Sequence, residues 1–113
     1  MSELAPRSVT LRSVSDENGV RHLKAVRDDA GNVTLEGHDI GKGVSDFYGP
    51  AITEYEWAHR IAAADVARLL TALGGRTGDD ILDLLPTGPE ADVYGLLAEH
   101  QITYTAIFSR HGD

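Results

Sequence analysis

Glu54-Tyr-Glu-Trp-Ala-His-Arg-Ile-Ala-Ala-Ala-Asp-Val-Ala-Arg-Leu-Leu-Thr-Ala-Leu-Gly-Gly75 changes the period of its apolar residues once, at Ala62. Before that point Tyr55, Trp57, His59 and Ile61 alternate with Glu54, Glu56, Ala58 and Arg60, the two-residue period of a strand with one face buried. After it Val66, Leu69, Leu70 and Leu73 follow the i, i+3, i+4, i+7 spacing of an amphipathic helix that Gly74-Gly75 ends. A strand over Glu54–Ile61 thus runs straight into a helix.

Working back from this unit, two turns divide the first forty residues. Asn18-Gly19 supplies the positive φ angles of a tight hairpin, and Asp28-Asp29-Ala30-Gly31-Asn32 reads as a type I turn closed by a left-handed glycine. They separate strands over Arg7–Ser15, Val20–Arg27 and Asn32–Asp39, a three-stranded meander. In the second, Leu23 and Ala25 compete with Val20 and Val26 for the inward face. In the third, Val33 and Leu35 share one face, with Thr34, Glu36 and His38 on the other. Gly37 to Thr53 reads as a Gly-rich connection, too long for a simple turn and anchored by Phe47 and Tyr48.

Working forward, Thr77 with Asp80 resembles a capping box for a helix through Leu85, stopped by Pro86. Thr87, Pro89 and Glu90 open a helix to about His100 with the stripe Val93, Leu96, Leu97. A closing strand over Ile102–Phe108 follows. The expected fold is a single α+β domain over residues 1–113. It is an antiparallel sheet of about five strands, made of the meander, one strand and the closing strand, with three short helices on one face.

At 113 residues, 42% apolar and 25% charged, the composition is that of an ordinary globular domain. Cysteine is absent, which removes disulfides, thiolate nucleophiles and Cys-based metal sites. The amino terminus does not read as a secretory signal, and Asp65 and Arg68 interrupt the most apolar stretch, so a cytoplasmic protein without a membrane span is expected.

The net charge of −8 is unevenly spread. Residues 1–30 carry five acids and five bases, whereas Thr77–Ser109 carries six carboxylates and no Lys or Arg. Such a surface repels phosphate backbones and anionic lipid and suits a basic protein partner, so neither nucleic acid nor membrane is expected to bind.

Catalytic and cofactor motifs fail on inspection. Gly37-His-Asp-Ile-Gly41-Lys42-Gly43 is one residue short of a phosphate loop, and Gly43 stands where a Ser or Thr must reach magnesium. Asp46 replaces the third glycine of a dinucleotide fingerprint. No two of the five histidines lie at helical metal-ligand spacing, so no metal or cofactor is assigned. His38-Asp39 is the most plausible polar pair in the Gly-rich segment. Glu54 and Glu56 share a strand face and could join Asp39 or Asp46 in a hard-cation or acid–base cluster, although alternation alone puts such acids on the solvated side of a sheet. Trp57 and His59 read as core residues, the histidine hydrogen-bonded.

Leu35-Glu-Gly-His-Asp-Ile-Gly41, Phe47-Tyr-Gly49 and Glu54-Tyr-Glu-Trp57 leading into Val66-x-x-Leu-Leu-x-x-Leu-Gly74 resemble small, mostly uncharacterised bacterial proteins, some of which look like antitoxin or immunity proteins. That resemblance covers residues 33–74 and implies no catalytic activity. With the charge, it suggests an immunity-type inhibitor of a basic toxin. The candidate partner-binding residues are Asp79, Asp80, Asp83, Glu90 and Asp92, then Asp39, Asp46 and Tyr48. Two other readings stand beside it: a small-molecule or metal-binding domain using Gly37–Gly49, and a homodimer joined through the first strand or the Tyr55–Trp57 face.

Overall fold

The computed structural model describes residues 5–17, 19–41, 54–76 and 78–112, with side chains through Ile107. Five strands form one sheet in sequential order, every neighbour antiparallel. They are β1 (Arg7–Asp16), β2 (Gly19–Arg27), β3 (Val33–Ile40), β4 (Glu54–Ile61) and β5 (Thr105–Gly112). The β4–β5 connection holds α1 (Ala63–Ala72), a 3-10 turn (Ile81–Asp83) and α2 (Val93–Glu99). The α+β sheet is as expected. Among the described residues, however, two α-helices and a 3-10 turn stand where three helices were expected, and no helix is long and apolar enough to cross a membrane.

The missing helix has a local cause. Gly78 and Gly88 take φ of +98° and +117°, outside the helical region, so no helix runs through either glycine; Thr77 itself lies outside the described residues. Aspartates cap instead. Asp80 accepts from Leu82 N at 3.0 Å and opens only the 3-10 turn, while Asp92 accepts from Gly95 N at 2.8 Å and opens α2. Helix α1 ends as its glycines imply, with Gly75 N donating to Leu70 O and Gly74 N to Thr71 O. Its start is capped from a distance: Ala62 has no side-chain acceptor, and Asn32 Oδ1 of the β2–β3 turn accepts from Ala63 N at 2.9 Å. That turn is itself tied by Asp28, which accepts from Ala30 N and Asn32 N.

One sheet face is covered. Leu11, Leu23, Ala25, Val33, Leu35, Trp57 and Ile61 meet Val66 and Leu69 of α1, Ile81, Leu82 and Leu85 around the 3-10 turn, and Val93 and Leu97 of α2. The inward face of β2 is therefore that of Leu23, Ala25 and Arg27, while Val20 and Val26 face the other way. Burying these side chains contributes roughly 1.5–3 kcal/mol for each large apolar residue before conformational entropy is opposed to it. A bulge between Thr10 and Arg12 turns Leu11 inward and takes its carbonyl out of the ladder, and Gly88 N donates to that oxygen at 2.8 Å. The bulge thus fastens the segment before α2 to β1.

The expected Gly37–Thr53 connection is shorter at its start, because β3 continues to Ile40. Gly37 pairs with Trp57 across β3 and β4, and a Cβ on it would lie 1.9 Å from the indole ring. The glycine is strand backbone over which the indole lies, a known way of covering a glycine in a sheet.

Candidate functional site

Three places gather chemistry-bearing side chains. The first is the outer surface of the helix layer. Leu73, Leu84, Pro86 and Leu96 floor a shallow groove of about 560 Å³ that Asp92 and Glu99 rim. Leu84 is 36% exposed, one of the few large apolar residues left open to solvent.

The acids proposed for a partner divide into two groups. Asp79, Glu90 and Asp92 are exposed, Asp79 and Asp92 each also accepting one backbone N–H. Asp80 and Asp83 are occupied within the chain: Arg7 donates to Asp80 at 2.7 Å and to Asp83 at 2.8 Å, and Arg27 donates to Asp80 as well. Partial burial opposes ionisation of Asp80. Its hydrogen bonds from Arg7, Leu82 N and Arg27 outweigh this and hold its carboxyl below the ordinary range. Asp80 thus neutralises Arg27, a cation 9% exposed at the core margin. Asp46 and Tyr48 lie outside the described residues, as does most of the Gly37–Gly49 segment.

The second place is the opposite sheet face, none of whose described side chains enters the core cluster. Register sets Ser13, His22, His38 and Glu56 in one row across β1 to β4. Ser13 Oγ lies 3.1 Å from His22 Nδ1, and His38 Nε2 lies 2.7 Å from a Glu54 oxygen and 3.4 Å from a Glu56 oxygen. Beside them a groove of about 450 Å³ is lined by Thr10, His22, Lys24, Glu36, His38 and Glu56. His38 and Asp39 are adjacent in sequence but point to opposite faces, so Asp39 joins neither the histidine nor the two glutamates. It lies on the covered side, where burial pushes its carboxyl up against the opposing pull of Arg12 and Arg21. Its Oδ1 is buried without a hydrogen-bond partner among the described residues.

The third place is inside. Trp57 Nε1–H donates to Tyr94 Oη at 2.7 Å, and Tyr94 Oη lies 2.8 Å from His59 Nδ1. The hydroxyl accepts from the indole and shares a second hydrogen bond with His59 Nδ1, whose direction follows the histidine tautomer. Burial lowers the His59 pKa, and burial pushes the Tyr94 hydroxyl up to about 12. Tyr104 packs against both rings. This chain locks α2 to β4 and is structural. It also buries Trp57, which is 8% exposed, while Tyr55 beside it on the strand stays half-buried.

Sequence reasoning did not single out Tyr94, which sits beside the expected apolar stripe of α2, or the meeting of His38 with Glu54 and Glu56. The latter requires the β3–β4 register, which no spacing in the chain reveals. Comparison with known proteins finds no matching family model, no matching curated protein and no matching solved structure.

Proposed function

We propose that the chain is a non-catalytic protein-binding domain that receives a basic partner on the outer surface of its helix layer, as an immunity-type inhibitor receives a cationic toxin. The observation that carries this reading is the groove at α1 and α2, an apolar floor of Leu73, Leu84, Pro86 and Leu96 rimmed by Asp92 and Glu99. It lies in the part of the chain where carboxylates are without any Lys or Arg between Thr77 and Ser109. Internal pairing removes Asp80 and Asp83 from the free charge, so Asp79, Glu90, Asp92 and Glu99 carry the attraction. Charge of one sign speeds encounter and orients the partner, while one apolar side chain seated among the leucines supplies affinity.

The test is capture of a cationic protein from source-cell lysate at low salt, followed by binding kinetics with the purified pair. Association slowing about tenfold as salt rises and further in Glu99→Lys, with dissociation faster in Leu84→Ala, supports the assignment. A partner whose kinetics ignore salt and both substitutions, or the lack of any saturable partner, refutes it.

A further inference from the structure

We propose that His38, Glu54 and Glu56 form a binding site for a first-row divalent cation, with zinc(II) the best match, on the sheet face opposite the helix layer. One donor atom from each residue lies within 4.8 Å of those of the other two. A tetrahedral zinc with nitrogen and oxygen ligands at about 2.0–2.1 Å sets its ligand atoms about 3.3 Å apart. His38 Nε2 to Glu56 Oε1 is already 3.4 Å, and His38 Nε2 to Glu54 Oε1 at 2.7 Å needs to open by only about half an ångström to meet that spacing. The adjustment lies within the rotamer freedom of a glutamate.

The arrangement is built on rigid backbone. Glu54 and Glu56 are two apart on β4, so strand alternation sends both to one face, and His38 is the directly paired neighbour of Glu56 on β3. All three side chains are partly buried, 25–35% exposed, and so partly desolvated before any ion arrives. Both carboxylates converge on one imidazole nitrogen. A single N–H serves the nearer, at 2.7 Å, and is too far from the other, at 3.4 Å, to bond it well. A cation in place of that hydrogen is held by both.

The donor set selects the class of ion. One imidazole with two carboxylates suits zinc, iron(II) or manganese(II) and gives calcium or magnesium too few oxygens. Three protein ligands also leave coordination positions open, as in zinc sites that bind water or a further group. His38 and Glu56 both line the 450 Å³ groove, where His22, held through Nδ1 by Ser13, faces the same space. Water or a small anionic ligand on the ion has room there. This site shares no residue with the groove at α1 and α2.

The experiment is calorimetric titration of zinc chloride into the chelator-stripped full chain, repeated with magnesium chloride and with the His38→Ala, Glu54→Gln and Glu36→Gln variants. Each variant's urea midpoint is measured first. Saturation at one zinc per chain, weakened by about tenfold or more in His38→Ala and Glu54→Gln but unchanged in Glu36→Gln, with no saturable magnesium binding, establishes the site. Glu54→Gln is isosteric and keeps the proposal testable if His38→Ala is unstable. Absence of saturable zinc binding, or zinc binding indifferent to both substitutions, overturns it.

Discussion

Gly37→Ala tests the packing at the centre of the sheet. In the middle of a strand alanine ordinarily stabilises by about 0.5–1 kcal/mol relative to glycine, so a position free of contacts would give a more stable protein. At Gly37 the added methyl lies 1.9 Å from Cζ2, 2.1 Å from Cε2 and 2.5 Å from Cη2 of Trp57. The indole is 8% exposed and its Nε1–H is bonded to Tyr94, so it cannot turn aside without disturbing α2. Overpacking of this kind costs about 1–3 kcal/mol. Loosening the Trp57–Tyr94 hydrogen bond inside the protein adds about 1–2 kcal/mol. After the strand preference is subtracted, the net destabilisation is about 2–3 kcal/mol, a fall in Tm on the order of 10 °C. Trp57 is the only tryptophan in the chain, so urea unfolding followed by its fluorescence reports on the perturbed residue itself. The midpoint should drop at unchanged m-value and the native emission should shift toward the red. A variant as stable as the parent, with unaltered emission, would mean that the indole does not lie over Gly37 and that the β3–β4 register is wrong.

Three further outcomes are expected. Tyr94→Phe leaves both Trp57 Nε1–H and His59 Nδ1 without their shared partner and should lower stability by about 1–3 kcal/mol in urea melts. Because burial lowers the His59 pKa below 6.5, the unfolded chain takes up the proton first. Its contribution is complete above the unfolded value and is lost as pH falls through and below about 6.5, so His59→Gln should flatten the pH dependence of stability between about pH 5 and 7. Asp80→Ala strands Arg27 at the core margin without its carboxylate and should cost about 2–3 kcal/mol. That is less than for a fully buried pair because Asp80 stays 19% exposed. The Asp80 pKa is depressed, so its stabilisation is present above about 3.8 and is lost as pH falls below that value. Acidification below about 3.8 should therefore destabilise the parent in urea melts, and Asp80→Ala should show a flatter pH dependence over that range.

What could be read in the sequence was whatever depends on neighbours along the chain. The Glu54–Ile61 strand matches to the residue, and Gly74-Gly75 closes α1 as expected. Helix starts were less legible. Thr77 and Thr87 have the right chemistry for caps, but Asp80 and Asp92 do the capping, because the glycine conformations at 78 and 88 keep helix out of those positions. The candidate sites depended even more on long-range pairing. Among the acids, the 73-residue sequence separation of Arg7 and Asp80 hides the ion pair that withdraws Asp80 from the free surface. The nearest His38–glutamate contact is 16 residues away in sequence.

Period and turn chemistry are local properties, set by side chains a few residues apart, and they alone determined an α+β chain with a meander, a strand–helix joint and an acidic second half. Which strands lie side by side, and in what register, is decided by the burial of Leu35, Trp57 and Ile61 against α1 and α2. A shift of one residue would turn that whole apolar set to solvent. Register in turn puts Asp39 on the sheet face that carries the core and His38 with Glu54 and Glu56 on the far face. Those positions are fixed by cooperative packing across the chain, so they could be seen only in the tertiary structure.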